Sequence, residues 1–244
     1  MDESLWFNKR FYFADEKGKY VLLNDGTVST GFIAYNTKLI KPAVLKSYKD
    51  LLDPKWRGKM VAYDPRRRGG AGGPLRFLYY SPDLGPDFVY RLFSQMNITL
   101  GTDSRLLMDW LATGKYQLLL FPGGTDFNKA KQQGLPVEKI THLTGEGVAM
   151  HGGAGAVSLV NRAPHPNAAK VFLNWFLSRE GQMAYQKVTS RNSLRTDIPK
   201  DGLPDPSVVP KEGVEYIFSA LPQYRDLSPI QKLVRKALRE AGKK

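Results

Sequence analysis

Short apolar runs of strand-like length alternate with stretches of helical periodicity through the middle of this 244-residue chain. Apolar residues after Pro86 recur three and four positions apart, which is typical of a helix that buries one face. This alternation predicts an α/β fold with a sheet covered by helices on both faces. The predicted strands are 31–35 (GFIAY), 59–63 (KMVAY), 117–121 (QLLLF) and 155–160 (GAVSLV).

Several helices are predicted from their end signals and apolar spacing. Residues 42–52 are predicted as a short helix, and 167–177 as a strongly apolar one. Asp103 and its neighbours offer N-caps for a helix that ends near Gly114. Its predicted buried stripe is Leu106, Leu107, Trp110 and Leu111. The last predicted helix starts near Ser228, and its apolar face is Ile230, Leu233, Val234, Ala237 and Leu238.

Composition removes several classes of protein. The chain has no cysteine, which excludes a disulfide scaffold, a thiol nucleophile and a zinc site with cysteine ligands. No apolar run reaches the roughly 18 residues of a membrane-spanning helix, and the acidic first residues do not resemble a signal peptide. The formal net charge of +13 would attract a nucleic acid, an anionic lipid or a small anion, or would form a generic basic surface.

Motifs of known chemistry are missing from the sequence. It contains no GxSxG elbow, no P-loop, no HExxH pair and no GxGxxG between a strand and a helix. Its histidines, His142, His151 and His165, do not have metal-ligand spacing along one helix face. We therefore predict that the chain is not an enzyme and holds neither a metal ion nor a cofactor.

Two glycine-containing loops are the better candidates for a site. The first, 64–74 (DPRRRGGAGGP), follows a predicted strand, and its arginines and glycine amides suit a phosphate or carboxylate. It is equally readable as a flexible basic loop. The second, 122–126 (PGGTD), lies at the carboxyl end of another strand, where open α/β sheets bind ligands. Thr125 or Asp126 would otherwise serve only as an N-cap.

Four blocks of this sequence resemble the extracellular solute-binding proteins of ABC importers, in the branch typified by ferric-ion-binding proteins. The blocks are GFIAYNTKLIKP from Gly31, SYKDLLDPKWRGKMVAYDP from Ser47, the Trp110 helix, and the 32 residues that start at Gly155. The resemblance implies a type 2 periplasmic binding protein: two α/β lobes are joined by hinge strands and close over a ligand in the cleft.

The resemblance also implies domain boundaries. Residues 1–34 would be a remnant of lobe 1 with the first hinge strand, 35–152 would be lobe 2, and 153–244 would be the return hinge strand and the C-terminal part of lobe 1. Family members begin with a signal peptide and several further β-α units that this sequence does not show. We therefore expect an incomplete first lobe whose exposed surface is apolar and prone to association.

The function implied is that of a transport component that captures a small anionic or anion-carrying solute and delivers it to a membrane permease, in the periplasm or outside the cell. Ferric-binding members carry adjacent tyrosines where this chain has Gly124 and Thr125, so ferric binding of the usual kind is not predicted. Alternatives are a basic nucleic-acid-binding protein and, less favoured, an α/β hydrolase. The predicted ligand-binding residues are Tyr35, Asp64, Arg66, Arg67, Arg68, Gly69, Gly70, Ala71, Ser104, Gly123, Gly124, Thr125 and Asp126.

Overall fold

A computed structural model describes residues 2–29, 31–67, 71–143, 145–152, 155–203 and 205–243. The chain divides into two compact units: unit 1 is Met1–Ser29 with Ala149–Asp226, and unit 2 is Thr30–Val148 with Leu227–Lys244. The strands are β1 (Tyr12–Phe13), β2 (Leu22–Leu23), β3 (Thr27–Val28), β4 (Ile33–Asn36), β5 (Met60–Tyr63), β6 (Thr99–Gly101), β7 (Leu118–Leu120), β8 (Val137–Ile140), β9 (Val148–His151), β10 (Ala156–Val157) and β11 (Tyr216–Phe218). The α-helices are α1 (Gly72–Tyr80), α2 (Gly85–Gln95), α3 (Ser104–Ala112), α4 (Gly124–Gln132), α5 (Pro166–Phe176), α6 (Arg179–Thr189), α7 (Pro222–Arg225) and α8 (Ser228–Glu240).

Unit 2 is built on a mixed sheet with the strand order β6-β5-β7-β4-β8. Strand β5 pairs in parallel with β6 and β7, whereas β4 runs antiparallel to β7 and β8. Ile33 at the start of β4 lies opposite Leu120 and Ile140, the last residues of β7 and β8. The carboxyl ends of β5, β6, β7 and β8 therefore emerge at one edge of the sheet.

Helices cover this sheet on both faces, as the alternating pattern predicts. On one face, α3 and α4 pack onto Ala34, Val61 and Leu119 through Leu107, Leu111 and Phe127. The intervening strand residues Met60 and Ala62 are also fully buried, and α1, α2 and α8 pack against one another. Burial on both faces explains why the strands are almost continuously apolar.

Helix α8 belongs to unit 2, which differs from the predicted assignment of all of 153–244 to the first lobe. Its buried residues Ile230, Val234, Ala237 and Leu238 form one stripe, and the helix packs against α2. Helical spacing identified the apolar stripe, but spacing does not specify which element the stripe contacts.

Unit 1 contains two small sheets, with the strand orders β1-β2-β10 and β11-β9-β3. Its core is rich in aromatic residues, including Trp6, Phe7, Tyr12 and Phe218. Helices α5 and α6 pack together in this unit. In the described chain, no helix of either unit is both long enough and apolar enough to span a bilayer.

Some predicted elements differ from the structure. Residues 42–52 form two separate 3₁₀ turns, Pro42–Val44 and Tyr48–Leu52, the second closed by a capping box between Ser47 and Asp50. In α3 the buried stripe is Leu107, Met108 and Leu111, while Leu106 is 44% exposed. Only Ala156–Val157 of the predicted strand at 155–160 is paired. Helix α5 is apolar as predicted, but it has no buried residue.

Candidate functional site

The loop after β5 is held at the carboxyl edge of the unit 2 sheet by Asp64. The Asp64 amide donates to the Gly101 carbonyl at 2.8 Å, which joins this loop to the end of β6. The Asp64 carboxylate accepts the Arg66 amide at 2.9 Å and both Nε and Nη2 of the same guanidinium, at 3.0 and 2.9 Å. This bidentate pair fixes the Arg66 side chain at the edge of the sheet.

The charge state of Asp64 follows from that pair. Burial acts to raise the pKa of the buried carboxyl, but the hydrogen bonds from Arg66 outweigh it and lower the pKa below its usual value. Asp64 is therefore ionised near neutral pH, and it compensates part of the charge of Arg66. The neighbouring Arg67 is exposed.

Helices α3 and α4 begin side by side at the same edge. The Asp103 carboxylate caps α3 by accepting the amides of Arg105 and Leu106 at 2.9 and 3.0 Å. The next residue, Ser104, donates its hydroxyl to Oδ2 of Asp126 in the first turn of α4. This bond joins the starts of the two helices, and it brings together two of the residues predicted to bind ligand.

The amino end of α4 has no side-chain cap. Its N-cap is Gly123, and neither Thr125 nor Asp126 caps the helix. The first intrahelical bond of α4 is from Phe127 to the Gly123 carbonyl at 3.0 Å, so the amides of Gly124, Thr125 and Asp126 precede it. Both Gly124 and Thr125 are exposed. These amides, at the positive end of the helix dipole, can donate to an anionic or polar ligand group.

The hydrogen-bond donors and the acceptor at this edge of the sheet together define which ligands it can bind. Arg66, Arg67 and the α4 amides are donors, while the Asp126 carboxylate is an acceptor that already receives the Ser104 hydroxyl. A ligand with only anionic groups would meet repulsion from Asp126. A solute that combines an anionic group with hydroxyl or amine donors would satisfy both kinds of partner.

Other predicted residues lie elsewhere or outside the described chain. Tyr35 is buried within β4, opposite Leu118 at the start of β7, and so is not brought to the edge where the loops meet. Burial raises the pKa of its phenol. Ala71 is the buried N-cap residue of α1 and offers no side-chain bond. Arg68, Gly69 and Gly70 fall outside the described residues.

A buried polar cluster in unit 1 was not predicted. The side chain of Asp25 is 1% exposed, and its Oδ2 accepts the Tyr185 hydroxyl at 3.0 Å and lies 3.5 Å from the Arg191 guanidinium. Burial and the Asp25 carboxylate raise the pKa of Tyr185 to about 12. In the sequence, only the acidic residue that closely follows the apolar run VLL, in VLLNDG, hinted at this cluster. The described chain has no group of three or more His, Asp or Glu residues placed to hold a metal ion.

The chain belongs to the family of bacterial extracellular solute-binding proteins, whose family model matches residues 10–183. The resemblance predicted from the four sequence blocks is confirmed. Proteins of this family are transport-associated binding proteins of the periplasm or cell exterior rather than enzymes. An uncharacterised protein of Haemophilus influenzae is 26% identical over 183 residues, which are 69% of this chain and 48% of that protein. The chain thus spans about half the length of this relative.

Solved structures of periplasmic binding proteins share the fold. The iron- and citrate-bound IdiA/FutA protein of Trichodesmium has a TM-score of 0.64 at 17% identity, over 95% of this chain and 74% of that one. AfuA of Actinobacillus pleuropneumoniae, with fructose-6-phosphate bound, has a TM-score of 0.56 at 23% identity, over 92% and 69%. The predicted α/β fold of the periplasmic binding protein type is confirmed by these likenesses.

Proposed function

We propose that this chain is the solute-binding component of an ABC importer, and that the carboxyl edge of the unit 2 sheet supplies solute contacts. The observation that carries this proposal is the bond between Ser104 and Asp126 beside the uncapped start of α4. It places a carboxylate acceptor next to exposed amide donors within a family whose members bind solutes. The bound solute is then delivered to a membrane permease, without chemical turnover.

The proposed solute is small and carries an anionic group together with hydroxyl or amine donors. The anionic group accepts from the α4 amides and from Arg66 or Arg67, while a hydroxyl or amine donates to Asp126. The binding of iron with citrate by one structural neighbour and of fructose-6-phosphate by another supports solutes of this polarity. We further propose that the protein acts in the periplasm or outside the cell, as its family does.

A thermal melt against a panel of solutes tests the proposal. The panel contains sugar phosphates, phosphonates, ferric citrate and polyamines. A solute at one hundred times its Kd adds about 2.7 kcal/mol of stability, which is roughly 5–10 °C for a chain of this size. We expect one class of phosphorylated or carboxylated polyol to shift the melt selectively.

The matched variants are Ser104→Ala and Thr113→Ala. Each variant removes one hydroxyl: Ser104 is the first residue of α3, and Thr113 is its C-cap. The Thr113 hydroxyl donates to the Asp109 carbonyl, at the end of the helix away from the proposed site. We expect Ser104→Ala to weaken solute binding about tenfold, because the Asp126 carboxylate loses the charge-assisted bond that fixes its position, and Thr113→Ala to leave solute binding unchanged. An absence of any shift across the panel, or an equal response of both variants, would overturn the assignment of this edge.

A further inference from the structure

A groove of about 550 Å³ in unit 2 is lined by basic side chains. Its lining residues in the described chain are Arg66, from the loop after β5, and Lys232, Arg235, Arg239 and Lys243, from α8 and the residues that follow it. The volume falls within the range of roughly 300–1,000 Å³ that small-molecule sites occupy. The groove was not among the predicted sites, although helical spacing places Lys232, Arg235 and Arg239 on one side of a helix.

The helix presents these cations because its opposite side is buried. Ile230, Val234, Ala237 and Leu238 face the interior of unit 2, and α8 packs on α2. Lys232, Arg235 and Arg239 are exposed on the side that remains. Position along the helix matters as well: the dipole favours cations at the carboxyl end, which accounts for Arg239 and Lys243 but not for Lys232 and Arg235 nearer the start.

Most of this positive charge has no carboxylate partner among the residues that the structure describes. Arg66 is paired with Asp64, and Lys243 donates to the carbonyl of Ile98. Within the described residues, Lys232, Arg235 and Arg239 have no carboxylate within ion-pair distance. Burial lowers the pKa of Lys243, as expected of an ammonium that is partly withdrawn from water. Uncompensated cations around one concave surface repel one another, and a bound anion relieves that repulsion.

We propose that this groove binds a phosphate-bearing polyanion. Its described lining shares Arg66 with the proposed solute contacts but includes neither Ser104 nor Asp126. Arg235 and Arg239 supply bidentate donors for phosphate oxygens, and Lys232 and Lys243 supply point charges. Arg66 is pre-positioned by Asp64, so its guanidinium loses little freedom on binding. The phosphate belongs either to a free small molecule or to an anionic lipid headgroup, and the experiment has one arm for each source.

In the first arm, pyrophosphate is titrated into the protein by calorimetry at low and physiological salt. In the second, the protein is mixed with vesicles of phosphatidylglycerol in phosphatidylcholine, and with phosphatidylcholine vesicles alone. The test variant is Arg235→Gln/Arg239→Gln, in which both exposed side chains keep a helix-forming residue. The control is Lys170→Gln/Lys187→Gln, which removes the same two charges from exposed positions of α5 and α6.

We expect saturable binding of one pyrophosphate per chain that weakens at least tenfold in the test variant and less than twofold in the control. Binding to phosphatidylglycerol vesicles alone, with the same dependence on the variants, supports the proposal and assigns the phosphate to lipid. Weakening by the same factor in both variants would show that only the net charge matters, and would overturn the proposal, as would no binding in either arm. Ser104→Ala is expected to retain pyrophosphate binding. A failure of the proposed solute site would therefore leave the result for the groove unaffected.

Discussion

At the scale of single residues, Gly31 has no room for a side chain. Its φ is +90°, and a Cβ built there would lie 2.3 Å from the carbonyl oxygen of Ile140. Both the left-handed backbone and the close approach of β8 therefore require glycine. We expect Gly31→Ala to lower the free energy of unfolding by more than about 2 kcal/mol, measured by urea denaturation.

Gly134→Ala is the matched control for this prediction. Gly134 also lies in unit 2 with a positive φ of +70°, but no atom comes within 4 Å of a Cβ built there. This variant carries the backbone strain without the clash, and we expect a cost of about 1 kcal/mol. Equal losses in the two variants would show that the contact with Ile140 contributes nothing.

Lys200 in unit 1 makes stability depend on pH. Its ammonium donates to the Ser193 carbonyl at 2.6 Å, and burial lowers the pKa of Lys200 from 10.5 to about 8, against the opposing effect of Asp197. Between these values the unfolded chain keeps a proton that the native chain has lost, so stability rises with pH. We expect a gain on the order of 1–2 kcal/mol from pH 8 to 10, allowing for solvent screening.

The pH dependence is isolated by comparing variants. Lys200→Met removes the titrating group, and its unfolding free energy should rise less between pH 8 and 10 than that of the unaltered protein. Lys187→Met, at an exposed position of α6, should follow the unaltered protein. Parallel curves for Lys200→Met and the unaltered protein would assign the pH dependence to other groups.

At the scale of elements, α8 attaches to unit 2 through a narrow buried stripe. Leu238 is 1% exposed in that stripe, whereas Leu106 of α3 is 44% exposed. We expect Leu238→Ala to cost about 2–5 kcal/mol and Leu106→Ala less than 1 kcal/mol, from the midpoints of urea unfolding followed by circular dichroism. A larger loss of stability for Leu106→Ala than for Leu238→Ala would indicate that Leu106 is buried. That result would support the α3 stripe predicted from the sequence over the α3 stripe in the structure.

Sequence periodicity predicted the elements better than their partners. The helices α2 and α4, the strands β4, β5 and β7 and the Asp103 cap were foreseen because each depends on local spacing or on one capping side chain, whereas the short strands β6 and β8 were not predicted. The buried stripe of α3 includes Met108, where the sequence predicted Leu106. Several adjacent residues of this helix are apolar, and only some of them fit into its narrow interface. The unit to which α8 belongs depends on contacts distant in sequence, which periodicity does not encode.

The candidate site was predictable in part for the same reason. Strand order brings the loops after β5, β6 and β7 to one edge of the sheet, and the sequence placed Asp64 and Gly123 just after predicted strands, whereas Ser104 was included through the family resemblance. The bond between Ser104 and Asp126 was not foreseen, since it joins residues of two helices. Tyr35 was included through the family resemblance, and the register places it at the opposite end of β7.

At the scale of the whole molecule, unit 1 exposes large apolar side chains of a kind that proteins ordinarily bury. Val171 is 70% and Phe172 55% exposed on α5, and Val188 is 83% exposed on α6. Phe172 also stacks on Phe176, so the exposed ring is held in place. We expect the chain to associate with itself as its concentration rises, which sedimentation velocity measures as an increasing sedimentation coefficient.

The variant Val171→Gln/Phe172→Gln should abolish that association. Its control is Leu39→Gln/Val44→Gln, which replaces two apolar side chains of unit 2 that are 50% and 42% exposed. Self-association that persists in the α5 variant but is lost in the control would place the contact surface on unit 2.

The direction of β4 has a consequence for how a bound solute can be detected. Because β4 is antiparallel to β7, the chain enters unit 2 at the edge where the loops proposed to bind solute meet. There the amide of Phe121 donates to the carbonyl of Phe32 at 2.8 Å. A solute that stabilises this edge should slow exchange of the Phe121 amide with deuterium. The Gln117 amide, bonded to Lys59 at the other end of β7, should exchange at an unchanged rate. A pair of amides four residues apart thus forms an internal reporter of occupancy.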